Sequence, residues 1–365
     1  MSDPAPGERL APAVFRLPVE KIRDAYYSDT YFRLTKELLE AEGRRPAVTM
    51  QVFAKRRGLL GGIDEAIAVL RLCSGRRLAD GGWEDGWPRL RVRALHEGDP
   101  IEPWETVMTI EGDYSLFAHL ETVYLGTLAR RSLVMSNVRR VVDAADGKAV
   151  LFFPARHDHW LVQTGDGWAA HVAGAIGVST DANASWWGGL GMGTIPHALI
   201  AVYGGDTVAA ARDYAVRFAG RSNIISLVDF HNDSVGEAVK VADALGEDLW
   251  GVRLDTSERL VDVALADRPD ADELRGVTPE LARAVRDGLD AAGHRRVKIV
   301  VSGGFDAAKI ERFEALGAPV DSYAVGSSLI RGSFDFTADV VELEGRPAGK
   351  AGREPRPNPR LEPVA

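Results

Sequence analysis

Apolar and polar positions change rhythm once along the chain. Between residues 18 and 137, alternating runs are interleaved with helical periodicities. Ala47–Ala54 (AVTMQVFA) alternates as a strand does, and Leu90–Ala94 and Thr106–Ile110 read as two more. Leu34, Leu38 and Leu39 recur at helical spacing behind Asp29, a candidate N-cap. Gly62–Leu72 (GIDEAIAVLRL) reads as an amphipathic helix with acids in its first turn, and a further helix begins near Phe117. This is the pattern of an α+β domain. Near Val138 the rhythm changes. Continuous apolar runs now recur, each followed by a polar loop and a helical stretch: Ala149–Phe153, Ala173–Val178, Leu190–Thr194, Ile224–Asp229, Leu249–Leu254, Val297–Val301 and Tyr323–Val325. Strands alternating with helices build a parallel sheet, and seven runs fall one short of a closed eight-stranded barrel. The expected fold class is therefore α/β: an irregular, incomplete parallel α/β barrel over residues 138–332, preceded by an N-terminal α/β (α+β) domain over 18–137. Phe334–Val341 reads as another strand, opening a C-terminal segment over 333–365 whose Pro- and Arg-rich end is a surface wrap or disordered. Residues 1–17, rich in Pro, Ala and Gly, read as a flexible arm.

Composition narrows the function. The chain has 365 residues, 45% hydrophobic and 27% charged, which is ordinary for a globular protein. A net charge of -9 leaves no basic footprint for nucleic acid. Cys73 is the single cysteine, which excludes a disulfide framework and cysteine-based zinc and suits a reducing cytoplasm. No apolar run approaches ~18 residues and the N-terminus lacks a signal pattern, so no membrane association is expected.

In a parallel barrel, reactive side chains follow strand C-termini. Two such positions are glycine loops, Ser302-Gly303-Gly304 and Gly326-Ser327-Ser328. Exposed amides on consecutive late strands commonly make a phosphate site; the plain alternative is a pair of tight turns. Arg156, flanked by Phe153 and Trp160, suits either a substrate carboxylate or a structural ion pair. Arg253 and Asp255 alternate along one strand and share a face, so a lumenal placement requires a partner or a ligand. Adjacent His157, Asp158 and His159 point opposite ways and make a poor metal set. His231 with Asp229 and Asp233 shares that weakness for zinc, whereas Mg2+ held by carboxylates and substrate phosphates is easier to accept. His197 opens an apolar helix after Gly193-Thr194-Ile195-Pro196. It fits a structural group, a base, or a nucleophile phosphorylated on nitrogen. GGLGMG at residues 188–193 does not have the dinucleotide spacing.

Together these stretches resemble the nicotinate phosphoribosyltransferases, within the type II phosphoribosyltransferases. The resemblance runs from about Asp29 to Arg353. It is carried by LET-YLG-LAR-S at Leu120–Ser132, GMGTIPHAL at Gly191–Leu199, VRLDTSE at Val252–Glu258, the loops VVSGGFD and AVGSSLI, and DFTADVVELEGRPAGKAGR at Asp335–Arg353. It implies that the C-terminal segment rejoins the N-terminal domain. It also implies transfer of phosphoribosyl from phosphoribosyl pyrophosphate to nicotinate, with ATP hydrolysis coupled through a phosphorylated histidine at His197. By the same carry-over, Arg156 meets the nicotinate carboxylate, Phe153 stacks on the ring, and Thr194 belongs to the Gly-Thr-x-x-His element. Asp229, Arg253 and Asp255 meet ribose, pyrophosphate and Mg2+. Ser302, Gly303, Gly304, Gly326 and Ser327 hold the 5-phosphate. The family's site is shared across a homodimer, with a partner aromatic for which Tyr26, Tyr27 or Tyr31 can serve. Asp181 lies near the position where nicotinamide-using relatives carry an amide-accepting Asp, which keeps the acid-versus-amide choice open. Nicotinamide- or quinolinate-using enzymes and a non-catalytic phosphosugar-binding protein are the alternatives.

Overall fold

The computed structural model describes residues 8–364; the first seven positions of the expected arm and Ala365 lie outside the described residues. The chain forms two compact units, one of residues 8–136, 186–188 and 332–364, the other of residues 137–185 and 189–331.

The first unit is built on a six-stranded antiparallel sheet. Its order is Arg346–Pro347, Phe336–Leu343, Ala47–Ala54, Thr106–Asp113, Arg91–Ala94, Glu362–Pro363. The C-terminal segment therefore does rejoin this sheet, and at both edges. Val48, Met50 and Val52 join Ile63, Ile67 and Leu70 of the helix Ile63–Cys73 in one buried core. Gln51 alternates with these positions and is also buried, because its amide is paired by the tail: it donates to Glu354 O at 3.1 Å and accepts from Arg356 N at 3.0 Å. The tail is thus a wrap. Two local expectations are corrected. Residues 8–17 are anchored rather than loose, since Asp64 accepts from Arg9 Nη1 at 2.8 Å and from Leu10 N at 2.9 Å, and Leu10 and Phe15 are buried. Asp29 precedes the helix Thr30–Ala41 but does not cap it; its carboxylate accepts from Thr122 Oγ1 at 2.8 Å. Trp186, far along the chain, belongs to this unit and meets Phe15 edge-on at 4.8 Å.

The second unit holds a six-stranded parallel sheet, an incomplete barrel in the order Ile224–Leu227, Leu249–Leu254, Lys298–Val301, Ser322–Val325, Ala149–Phe152, Gly177–Val178. Ile224–Leu227 and Ser322–Val325 are buried at every position, as both-face coverage of a parallel sheet requires. Two expected strands differ. Ala173–Val178 is strand only at Gly177–Val178, because the helix Gln163–Val172 ends just before it in a turn at Gly174 with φ +102°. Leu190–Thr194 is not a strand at all. That segment still bridges the two edge strands, since Met192 N donates to Val178 O at 2.7 Å and Ile195 N to Ile225 O at 3.0 Å. The missing stave is thus replaced by irregular chain whose amides satisfy one acceptor on each side. The helix Glu121–Ala144 also runs straight through the expected break near Val138.

The helices after the strands begin where short polar side chains accept from free amides. Asp206 caps Thr207–Phe218, Asp233 caps Ser234–Leu245, Thr278 caps Pro279–Ala291 and Asp306 caps Ala307–Ala315. In Ser234–Leu245 the buried positions Ala238, Val241, Ala242 and Leu245 form the stripe turned to the sheet.

Candidate active site

A cleft of about 620 Å³ opens at the C-terminal ends of the parallel strands. Leu151, Ile225, Val300 and Ala324 form a small apolar cluster with Phe153 and Met192 packed on it, and the last three of these named also line the cleft as its floor. Arg156, Thr194, His197, Arg253, Asp255, Ser302, Gly303, Gly304, Gly326 and Ser327 all line it, so the strand-end positions converge on one space.

Arg253, Thr194, Asp255, Ser302 and His197 each have a partner that fixes them. Arg253 and Asp255 do share a face: Nη2 lies 3.4 Å from Oδ2. Arg253 Nη1 donates to Thr194 Oγ1, which ties the irregular stave to the strand Leu249–Leu254. Burial lowers the Arg253 pKa, and the neighbouring Asp255 and Asp229 carboxylates oppose that. Its Nε is buried without a partner among the described residues, a donor left for a ligand. Asp255 accepts from Ser302 Oγ at 2.8 Å. The Ser302 hydroxyl thus positions Asp255 instead of facing the cleft as a phosphate donor.

His197 opens the helix His197–Val202, and its Nε2 lies 3.0 Å from Asp229 Oδ2. That hydrogen bond, more than any other influence, raises the His197 pKa above its ordinary value. Asp229 itself is 6% exposed, and its Oδ1 has no partner among the described residues. A buried carboxylate oxygen left unpaired costs free energy unless a cation or donor meets it. Among the described residues, no group of three or more His, Cys, Asp or Glu side chains is arranged to hold a metal ion.

The two loops are open to ligand. Gly303 and Gly304 take φ +87° and +69°, conformations that any Cβ would strain. At Gly326 the constraint is contact: a Cβ there would lie 3.0 Å from His157 Cε1. His157, weighed in the sequence only as a metal ligand, lines the cleft, and burial together with Arg156 and Arg331 lowers its pKa. Its ring lies beside the second loop, against Gly326.

Three expected site residues do not line the cleft, and Asp229 is one of them, reaching it only through its hydrogen bond to His197. Asp181 does not line the cleft; it begins the short helix Asp181–Ala184 and accepts from Gly191 N at 2.8 Å. Its neighbour Thr180 takes the lining position. Tyr31 belongs to the first unit, where it is 62% exposed. Ser179, Thr180 and Met192 also line the cleft and were not singled out by sequence, which named Asp181, the residue after Thr180.

The family model described as quinolinate phosphoribosyl transferase, N-terminal domain, matches residues 29–132. The nicotinate phosphoribosyltransferase pncB1 of Mycobacterium tuberculosis is 32% identical over 268 residues, covering 70% of this chain and 54% of the relative. The chain thus spans about half the length of the curated relatives it matches. Among solved structures, the nicotinate-nucleotide pyrophosphorylase of Pyrococcus furiosus matches with a TM-score of 0.78 and 32% identity, over 95% of this chain and 85% of that one. The human nicotinic acid phosphoribosyltransferase shares the fold, with a TM-score of 0.66 and 20% identity over 88% and 76%. With 32% identity to the Pyrococcus furiosus protein over 95% of this chain and 85% of that one, and with curated nicotinate phosphoribosyltransferases matching 70% of this chain, the chain belongs to the nicotinate phosphoribosyltransferase family of type II phosphoribosyltransferases.

Proposed function

We propose that the protein transfers phosphoribosyl from phosphoribosyl pyrophosphate to nicotinate, giving nicotinate mononucleotide and pyrophosphate in cytoplasmic NAD salvage, coupled to ATP hydrolysis. The observation that carries this is the cleft's composition: a guanidinium beside an aromatic ring, a half-buried Arg–Asp pair, and two glycine loops, all within about 620 Å³. Arg156 pairs with the nicotinate carboxylate and Phe153 stacks on the pyridine. Gly303, Gly304, Gly326 and Ser327 offer amides to the 5-phosphate, and Arg253 meets the pyrophosphate. The nicotinate nitrogen lone pair forms the bond to C1 as the C1–O bond breaks, its electrons leaving with pyrophosphate. Asp255, held by Ser302, stands where positive charge develops on the ribosyl group.

Mg2+ fits this donor set. The unpaired Asp229 Oδ1 and the Asp255 carboxylate would hold it, together with oxygens of the substrate phosphates. When bound, it neutralises pyrophosphate charge. Asp229 engages His197 Nε2, which leaves Nδ1 to take a phosphoryl group from ATP as ADP departs. Exposed Tyr26, Tyr31, Leu34 and Leu38 on the first unit support a homodimer in which the partner supplies an aromatic side chain.

A second reading, quinolinate as substrate, is favoured by the domain matched at residues 29–132. Two carboxylates call for more cations, yet among the described residues Arg156 and Arg253 are the lysine or arginine side chains lining the cleft, and Arg253 is engaged by Asp255. Asp181, turned to Gly191, does not oppose an acid substrate.

The test is to incubate pure protein with phosphoribosyl pyrophosphate, Mg2+ and each of nicotinate, nicotinamide and quinolinate, with and without ATP. Mononucleotide from nicotinate is expected, enhanced by ATP. Product from quinolinate alone establishes the second reading, and no product from any leaves a phosphosugar-binding protein. His197→Ala removes the ATP enhancement and leaves uncoupled transfer; intact enhancement refutes the role of His197.

A further inference from the structure

Gly303 and Gly304 both have positive φ, so the peptide between them joins two residues that lack any side-chain preference for one orientation. Left alone, such a peptide flips readily, presenting either a carbonyl or an amide to the cleft. Something must fix it if an anion is to bind. Lys309, one turn into the helix Ala307–Ala315, does so: its Nζ donates to Gly303 O at 3.1 Å. The lysine is itself held. Its backbone N–H donates to the Asp306 carboxylate at 2.9 Å, and its Nζ lies 4.2 Å from the centroid of the buried Phe305 ring.

The peptide is trans, so its C=O and N–H point in opposite directions. Gly303, Gly304 and Phe305 line the cleft and Lys309 does not. A carbonyl drawn to Lys309 therefore turns out of the cleft, and the Gly304 N–H turns in. Among the described residues, none of the backbone N–H groups of Gly303, Gly304 and Phe305 has a protein acceptor.

We propose that Lys309 is the positioning residue of the first phosphate loop: its ammonium anchors the Gly303 carbonyl, so that the Gly304 amide is held toward the 5-phosphate of the substrate. This rests on the phosphoribosyl reading above. The ammonium also adds a positive charge behind the loop without occupying the cleft.

The full chain and its Lys309→Met and Lys309→Arg variants are titrated calorimetrically with ribose 5-phosphate and with inorganic pyrophosphate. Steady-state KM and kcat for phosphoribosyl pyrophosphate and nicotinate are measured beside them. Losing one charge-assisted hydrogen bond weakens ribose 5-phosphate by about tenfold or more in Lys309→Met and raises the KM for phosphoribosyl pyrophosphate to match. Pyrophosphate affinity, nicotinate KM and kcat stay within about threefold, and Lys309→Arg recovers most of the lost affinity. A general packing defect would weaken both phosphate ligands alike; that result, or wild-type ribose 5-phosphate affinity in Lys309→Met, overturns the proposal. Wild-type protein that binds neither ligand overturns the phosphoribosyl reading itself.

Discussion

Gly326→Ala is a one-carbon perturbation whose cost can be worked from distances. The added Cβ would lie 3.0 Å from His157 Cε1, 3.4 Å from His157 Nδ1 and 3.8 Å from Phe153 O. Carbon atoms prefer about 3.5–4.0 Å, so the imidazole must retreat by roughly half an ångström or more. Gly326 has φ -110°, outside the left-handed region. Overpacking of this size costs typically 1–3 kcal/mol. His157 is exposed enough to yield, which puts the expected cost near the lower end, about 1–2 kcal/mol, or roughly a 5- to 30-fold rise in the KM for phosphoribosyl pyrophosphate. The assay is a double-mutant cycle of Gly326→Ala, His157→Ala and both together, read as that KM. If the clash is the cause, His157→Ala recovers most of the loss in the pair, a coupling of about 1 kcal/mol or more. Strict additivity of the two changes refutes the contact, and a wild-type KM in Gly326→Ala refutes the placement of substrate against this loop.

Other perturbations separate the remaining roles. Arg156→Gln raises the nicotinate KM by roughly 10- to 100-fold while leaving weak nicotinamide turnover unchanged, since only the acid loses an ion pair; equal losses for both would show that Arg156 does not read the carboxylate. Gly303→Ala places a side chain at φ +87° and costs about 1–2 kcal/mol in backbone strain, read as a lower melting temperature together with weaker phosphosugar binding. Burial, with Asp339 and Asp29 adding to it, raises the pKa of Glu121 from 4.5 to about 8. The folded protein therefore keeps that proton where the unfolded chain has released it. The associated stability is full below pH 4.5 and is lost as pH rises through 8, on the order of 4–5 kcal/mol in all. Glu121→Gln flattens this slope in thermal melts between pH 5 and 9; parallel wild-type and variant curves would refute it.

Most of the parallel strands were legible because a parallel sheet covered on both faces leaves continuous β-branched runs, as in Lys298–Val301 (KIVV). Leu190–Thr194 misled for a physical reason. Its amides reach both edge strands at Met192 and Ile195, yet four glycines between Gly188 and Gly193 keep it from regular pairing. The strand ends located the cleft, but not which side chain of a strand end enters it. Thr180 lines it while Asp181 does not, a difference set by Thr180 capping the helix that Asp181 begins. Lys309 gave no signal, since its contact depends on a carbonyl direction that no residue pattern encodes. Trp186 was equally silent, because three residues can change units without altering local periodicity.

The doubly edged role of the C-terminal segment has a kinetic consequence. Thr49 Oγ1 donates to Glu342 Oε2 across a sequence separation of 293. On a ribosome, the central strands Ala47–Ala54 and Thr106–Asp113 emerge early, yet neither edge of their sheet can be closed until the last residues are made. The second unit, contiguous apart from three residues, is free to fold meanwhile. A released chain ending near residue 330 would carry all the strands of the parallel sheet but an antiparallel sheet with two open rims, a natural substrate for chaperones and a template for edge-to-edge aggregation.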